Sequence, residues 1–274
     1  IESCKMIEHR IITLLSDFGL SDVYVGVMKG VIAQINPALV VVDLTHQIPP
    51  QNITVARFNL MNAYPYFPEG TVHIAVVDPG VGSCRRGIAL QLDTGFLVGP
   101  DNGLFSGVLT QAEVLGGVEL TNSQYWRTST PSTTFHGRDI FAAVGAHLAS
   151  GTPLQELGNA IAPNTLVQLP IPERTLTTTR ITGCIQYIDY FGNLVTNIPA
   201  ADVQGKTWSV VVCDRVIPAS QTYSDRVVGE LVTLAGSHGW VEIAVNSGNA
   251  QSHLQMNLGG TVEIIWDRYG GGGT

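Results

Sequence analysis

Three short apolar runs in the first 80 residues, each leading to an aspartate, constrain the fold of this chain most. Residues 11–15 run into Ser16-Asp17-Phe18-Gly19, residues 39–44 carry Asp43 just before Leu44-Thr45-His46, and residues 72–77 run into Asp78-Pro79-Gly80-Val81-Gly82. Continuous apolar runs of this length suit strands covered on both faces. Between them the spacing turns helical. Tyr24, Val27, Met28, Val31, Ile32 and Ile35 share one face, with Ser21 placed to cap that helix and Pro37 to stop it. Asn52 is placed to cap a second helix whose apolar face holds Ile53, Ala56, Leu60 and Tyr64. Residues 88–92 and 96–98 read as a hairpin, and a helix capped by Asp139 covers about residues 140–148. This alternation predicts an α/β N-terminal domain over residues 8–165, a mostly parallel sheet flanked by helices.

The pattern then changes. Residues 163–178 hold Pro163, Pro170 and Pro172 and read as a linker. Strands dominate beyond it, over residues 181–188, 194–198, 208–213, 231–234, 241–245 and 261–266. They predict a β-rich, barrel-like C-terminal domain over residues 176–270. The apolar share of 45% and the charged share of 13% suit packed cores rather than disorder.

The formal charge of −8, with scattered Lys and Arg, excludes the basic footprint that nucleic-acid binding needs. No apolar run reaches membrane-span length, so no membrane partner is expected. No secretory pattern is read at the start; residues 1–5, before Met6, read as an extension, and the Gly-rich residues 270–274 as a flexible end. Cys4, Cys84, Cys184 and Cys213 are far apart with no Cys-x-x-Cys pair. Reduced thiols in a cytoplasmic protein are the expectation, without a disulfide framework or structural zinc.

Ligands of open α/β sheets bind beyond the carboxyl ends of the strands. Any one of Asp17, Asp43 and Asp78 could simply form a turn; three together mark a polar crevice. The loop after Asp78 carries Gly80, Gly82 and Gly87, and can bend Arg85 back toward Asp78. The plain alternative is a surface ion pair worth about 0–1 kcal/mol. The loop's glycines match neither a Walker A loop nor a dinucleotide fingerprint. His136, in Thr134-Phe135-His136-Gly137-Arg138-Asp139, stands just before a helix. Asp43, His46 and His136 match no common ligand spacing, so neither metal nor cofactor is expected. Asp189-Tyr190-Phe191-Gly192-Asn193 suits a turn, or a nucleoside with an amine nearby. Residues 235–239 and 246–249 read as hairpin ends.

Leu15–Gly19, the Asp78–Arg85 loop, residues 135–139, Asp189–Asn193 followed by Thr196-Asn197-Ile198, and Glu242-Ile243-Ala244-Val245-Asn246 occur in one order. That order resembles the S-adenosylmethionine hydroxide adenosyltransferase family, relatives of the fluorinase and chlorinase, over about residues 10–267. The resemblance implies hydrolysis of S-adenosyl-L-methionine to adenosine and L-methionine, by a water-derived hydroxide attacking ribose C5′. It also implies a homotrimer, with each active site between one subunit's N-terminal domain and its neighbour's C-terminal domain. Asp78, Arg85 and His136 would handle the water. Asp17 would hold the ribose hydroxyls, Asp189 the methionine ammonium, Phe191 and Asn193 the adenine, and Ser237 the methionine carboxylate. Glu242 and Val245 would neighbour the nucleoside. The halogenating relatives have tyrosine where this chain has Asp78; the fluorinase has tyrosine at the His136 position, serine at Gly137 and arginine at His238.

Methionine leaves as a neutral thioether, so the chemical demand falls on the nucleophile. Taking water from a pKa of about 15.7 to about 7 without a metal requires roughly 12 kcal/mol. Shared work answers that demand: Asp78 or His136 accepts the proton while Arg85 stabilises the developing hydroxide. A halide-dependent adenosyltransferase and a non-catalytic adenosine-binding protein are the alternatives.

Overall fold

A computed structural model describes residues 11–266. The readings placed on residues 1–10 and 267–274, including Cys4, Met6, the Gly-rich end and the outer domain bounds 8 and 270, lie outside the described residues. The chain divides into two compact units, with the division between Leu169 and Pro170.

The first unit contains strands β1 (Ile11–Ser16), β2 (Val40–Thr45), β3 (Thr71–Val76), β4 (Gly87–Leu92), β5 (Gly95–Pro100), β6 (Val114–Glu119) and β7 (Asn159–Ala160). They form one sheet in the order β2-β1-β3-β5-β4-β6-β7. The pairings β1–β2, β1–β3 and β3–β5 are parallel. Those of β4 with β5 and β6, and of β6 with β7, are antiparallel. The sheet is therefore mixed, and the expectation of a mostly parallel one is corrected. Only Asp93 and Thr94 separate β4 from β5, and so short a link can join only antiparallel strands.

Three helices accompany the sheet: α1 (Tyr24–Ile35), α2 (Ile53–Ala63) and α3 (Ala142–Ala149). α1 buries Met28, Val31 and Ile32, as its spacing predicts. Its N-cap is Val23, with no side-chain cap, rather than Ser21. Asn52 does cap α2, accepting the Val55 N–H at 3.0 Å. α3 packs on β3 so closely that a Cβ at Gly145 would stand 2.4 Å from Ile74 Cδ1. Leu14, Ile74, Val98, Phe141 and Ala143 belong to the resulting core.

His73 of β3 is buried, its Nδ1 2.8 Å from Thr13 Oγ1 and its ring against Tyr64 and Phe67. Burial disfavours the imidazolium and lowers the pKa to about 4. The unfolded chain thus takes this proton at a higher pH than the folded one. The stability His73 contributes is complete above about pH 6.5 and is lost as the pH falls toward 4. Denaturant titrations between pH 7 and pH 4 should lose about 3 kcal/mol through this group. In His73→Phe the loss over the same pH range should be smaller by that amount; an unchanged loss would reject the assignment.

The second unit holds β8 (Thr175–Leu176), β9 (Arg180–Ile188), β10 (Leu194–Pro199), β11 (Trp208–Val212), β12 (Arg215–Pro218), β13 (Leu231–Ala235), β14 (Trp240–Val245), β15 (Thr261–Trp266) and a short helix, α4 (Ala250–Leu254). The order β12-β11-β15-β9-β10-β14-β13 is antiparallel throughout, and β8 pairs with β9. A bridge between Ala219 and Thr233 brings the two ends together, giving a nearly closed barrel. Ile181, Leu194, Val210, Ile243 and Ile264 fill it. Among the described residues, no helix is long and apolar enough to cross a membrane.

Candidate active site

β1 and β3 are neighbours, so the segments after them, Asp17-Phe18 and Asp78-Pro79, emerge side by side. They line a cleft of about 420 Å³ together with Tyr24, Gln51, Phe135 and His136. That volume suits a small ligand. Asp43, on the far side of β1, is absent from the lining; its carboxylate is held by Lys29 and His46.

The loop after Asp78 folds as its glycines predict. Ser83 Oγ donates to the Gly80 carbonyl at 2.6 Å and accepts the Arg85 N–H at 3.2 Å. Gly82 has φ +76°, and a Cβ there would stand 2.3 Å from the Thr133 carbonyl oxygen. Only glycine fits both demands, and this close approach brings the loop against the segment that carries His136. Arg85 Nε donates to Asp78 Oδ1 at 2.8 Å, and its Nη2 donates to Asp78 Oδ2. The same Nη2 lies 2.9 Å from His136 Nδ1. The Arg85 side chain is 11% exposed and that of Asp78 5%, so the pair is far drier than a surface ion pair. The guanidinium also lies over the Phe141 ring, 5.2 Å from its centroid.

A guanidinium has donors only, so His136 Nδ1 is the acceptor. The neutral ring then carries its hydrogen on Nε2. Burial and the neighbouring Arg85 charge lower the His136 pKa, against the opposing pull of Asp78 and Asp139. The ring is thus neutral at neutral pH.

The backbone on the C-terminal side of His136 holds the ring in place. Gly137–Phe141 is a single π-helical turn leading into α3. Asp139 lies inside this turn and does not cap the helix. Its side chain is fully buried, accepting from Ser132 N at 2.8 Å, Arg127 Nε at 2.5 Å, and Arg138 Nε and Nη2 at 2.6 and 2.7 Å. Its carbonyl accepts the Arg127 N–H at 2.9 Å.

Asp17 Oδ2 accepts the Gln51 N–H at 2.7 Å. Gln51 has φ +65°, an uncommon conformation for a side-chain-bearing residue. Nothing in the Pro49-Pro50-Gln51 sequence announces this contact.

The remaining predicted residues lie in the second unit. Asp189, Phe191 and Asn193 share the β9–β10 turn. Asp189 Oδ1 accepts the N–H of Phe191 and of Asn193, and Oδ2 accepts Asn193 Nδ2, all at 2.9 Å. Asp189 therefore shapes its own turn, while Tyr190 and Phe191 stand out into solvent. β10 pairs with β14, which carries Glu242 and Val245, both buried. Glu242 accepts from Tyr223 Oη at 2.8 Å and meets His238 Nε2 at 2.9 Å. Burial, the Glu242 bond and the nearby Asp189 charge push the Tyr223 pKa up to about 12. Tyr223 is a polar neighbour of Glu242 that sequence reading misses, because it sits in an irregular stretch without periodicity. Ser237 is exposed in the β13–β14 turn. Among the described residues, no group of three or more His, Cys, Asp or Glu is placed to hold a metal.

Residues 12–158 match the family model described as SAM hydroxide adenosyltransferase N-terminal domain, and residues 183–263 match that of the C-terminal domain. A Salinispora arenicola protein named (R)-S-adenosyl-L-methionine hydrolase is 40% identical over 257 residues, 92% of this chain and 97% of its own length. A Thermus thermophilus protein of the same name is 40% identical over 263 residues, 93% of this chain and all of its own length. The crystal structure of an uncharacterized conserved protein from Thermotoga maritima has a TM-score of 0.87 and 35% identity, over 93% of this chain and 99% of that one.

Proposed function

The chain belongs to the SAM hydroxide adenosyltransferase family, and on that premise we propose that it hydrolyses S-adenosyl-L-methionine to adenosine and L-methionine. The observation that carries this reading is that Asp78 and His136, which line a cleft that also holds Asp17, are both in contact with Arg85. Water attacks ribose C5′, the C5′–S bond breaks, and its electron pair goes to sulfur. The sulfonium becomes a neutral thioether, so no general acid is required. The proton leaving the water passes to Asp78, whose oxygens retain lone pairs beyond those Arg85 uses. His136 Nδ1 is already spent on Arg85, and the ring acts through its Nε2–H. Arg85 stabilises the developing hydroxide.

The charge of the cleft supports the same substrate. Asp17 and Asp78 set two carboxylates against one guanidinium, leaving the cleft net negative. The substrate's sulfonium and ammonium outnumber its single carboxylate, so the field favours its entry. Asp17 holds the ribose hydroxyls. Asp189 meets the ammonium, Phe191 and Asn193 the adenine, and Ser237 the carboxylate, with Glu242 and Val245 beside the nucleoside. These second-unit residues serve a neighbouring copy within a homotrimer. The proposed reaction uses neither cofactor nor metal, and the proposed location of the enzyme is the cytoplasm. The relatives' name specifies the (R) epimer at sulfur, and we extend that preference to this chain; such an enzyme spares the (S) epimer.

The test is incubation with each separated epimer in chloride-free, metal-chelated buffer made with 18O-labelled water. Mass spectrometry should find the label at the adenosine 5′ oxygen, with unlabelled methionine, and faster with the (R) epimer. Unlabelled adenosine, or adenosine binding without methionine release, would sink the hydrolytic reading. Formation of 5′-chloro-5′-deoxyadenosine on adding chloride would shift it to the halide-using chemistry.

A further inference from the structure

The end of β1 is tied down by four side chains that no catalytic step uses. Ser16 Oγ lies 2.7 Å from His46 Nδ1, and His46 Nε2 lies 3.1 Å from Asp43 Oδ1. Lys29 Nζ donates to Asp43 Oδ2 at 2.6 Å. The protons can be placed by chemistry. Burial works to raise the Asp43 pKa, but the bonds from Lys29 and His46 outweigh it and hold the carboxyl below its ordinary range. An ionised carboxylate only accepts, so His46 Nε2 carries a hydrogen. In the neutral ring Nδ1 is then an acceptor, and the Ser16 hydroxyl donates to it.

Ser16 Oγ in turn accepts the Phe18 N–H at 3.3 Å, and the His46 carbonyl accepts the Gly19 N–H at 2.8 Å. Both ends of the Ser16–Gly19 turn therefore hang on His46, and Asp17 lies between them. Serine, histidine and aspartate in contact also make up a nucleophilic triad. Here Ser16 is 1% exposed and His46 3%, neither lines the cleft, and the hydroxyl already accepts a backbone N–H. The set is built to hold rather than to attack.

We propose that His46 is a positioning residue: through Ser16 and its own carbonyl it aims Asp17 at the ribose hydroxyls of the substrate. This rests on the reading of the cleft as the S-adenosylmethionine site.

Three substitutions separate aiming from packing. His46→Asn keeps an acceptor where Nδ1 stood and gives up Asp43. His46→Gln reaches Asp43 and leaves Ser16 without its acceptor, and His46→Ala gives up both. The Gln and Ala variants should weaken adenosine binding and raise KM by about tenfold, with kcat within about threefold; the Asn variant should stay within about threefold of wild type throughout. Binding of 2′,3′-dideoxyadenosine, which offers Asp17 no hydroxyls, should be the same in all four proteins. Equal losses for Asn and Gln, or equal losses for adenosine and the dideoxy analogue, would overturn the proposal. So would failure of all three variants to fold by circular dichroism, since His46 would then be a core residue. If wild type itself binds the two nucleosides equally, the ribose assignment of Asp17 is at fault instead.

Discussion

The Asp78→Asn substitution is expected to lower kcat by about 100-fold or more, with adenosine binding within about threefold of wild type. Asparagine matches the shape of aspartate and can still accept one hydrogen bond from Arg85. It cannot take the proton from the attacking water, and its amide presents hydrogens to a guanidinium that has only donors. The loss should fall on the chemical step, because the role proposed for Asp78 is on the nucleophile rather than on the adenosine. Single-turnover rates with S-adenosyl-L-methionine, alongside calorimetry with adenosine, would separate the two. A variant retaining a tenth or more of wild-type turnover would show that Asp78 is not the proton acceptor. His136→Ala would then become the deciding comparison, since its ring is the other titratable group in contact with Arg85.

The largest stability effect is expected at Asp139. Asp139→Ala removes the acceptor of Arg127, Arg138 and the Ser132 N–H together. Removing one partner of a buried ion pair costs about 3–5 kcal/mol. Both guanidiniums reach solvent, with side-chain exposures of 38% and 28%, so water can satisfy them in part. The expected loss is therefore at the low end, about 3 kcal/mol. Burial of Asp139 works to raise its pKa, but the bonds from Arg138, Ser132 and Arg127 outweigh it and hold the carboxyl well below its ordinary range. A depressed carboxylate pKa stabilises the fold above the ordinary carboxyl range and ceases to do so as the pH falls through the folded value. Denaturant unfolding at pH 7 would measure the loss, and a change under about 1 kcal/mol would contradict the network's weight. Turnover should fall as well, because the same turn presents His136.

Much of this site can be read along the chain. Apolar runs ending in Asp17 and Asp78 place two carboxylates at the same end of adjacent strands, and the glycines after Asp78 foretell the return of Arg85. The strand periodicity of the second half is equally plain. β6 is harder to see: its sequence, VLGGVE, lacks alternation, and its Gly117 packs against Leu90, a contact no local pattern reveals. The parallel expectation fails because strand direction depends on connection length, not on apolar content. Asp139 looks like a helix cap in sequence because it precedes an apolar helix; its four donors come from the adjacent Arg138 and from residues 127 and 132, folded back by the loop. The Ser16–His46 contact spans 30 positions and carries no spacing signal. Polar pairs across strands are set by register, which composition does not encode.

The π-helical turn at Gly137–Phe141 closes through the Ala142 N–H and the Gly137 carbonyl, a five-residue step in place of four. Such a turn is an α-helix with one residue inserted. Losing that residue would leave α3 an ordinary helix, with its packing against β3 intact. It would also rotate everything upstream by about 100°, the angle between successive helical residues. His136 would then leave the cleft, although no side chain of the site had changed. Helix integrity and catalytic phase are thus separate properties here, and a length change at this point can silence the site while sparing the fold.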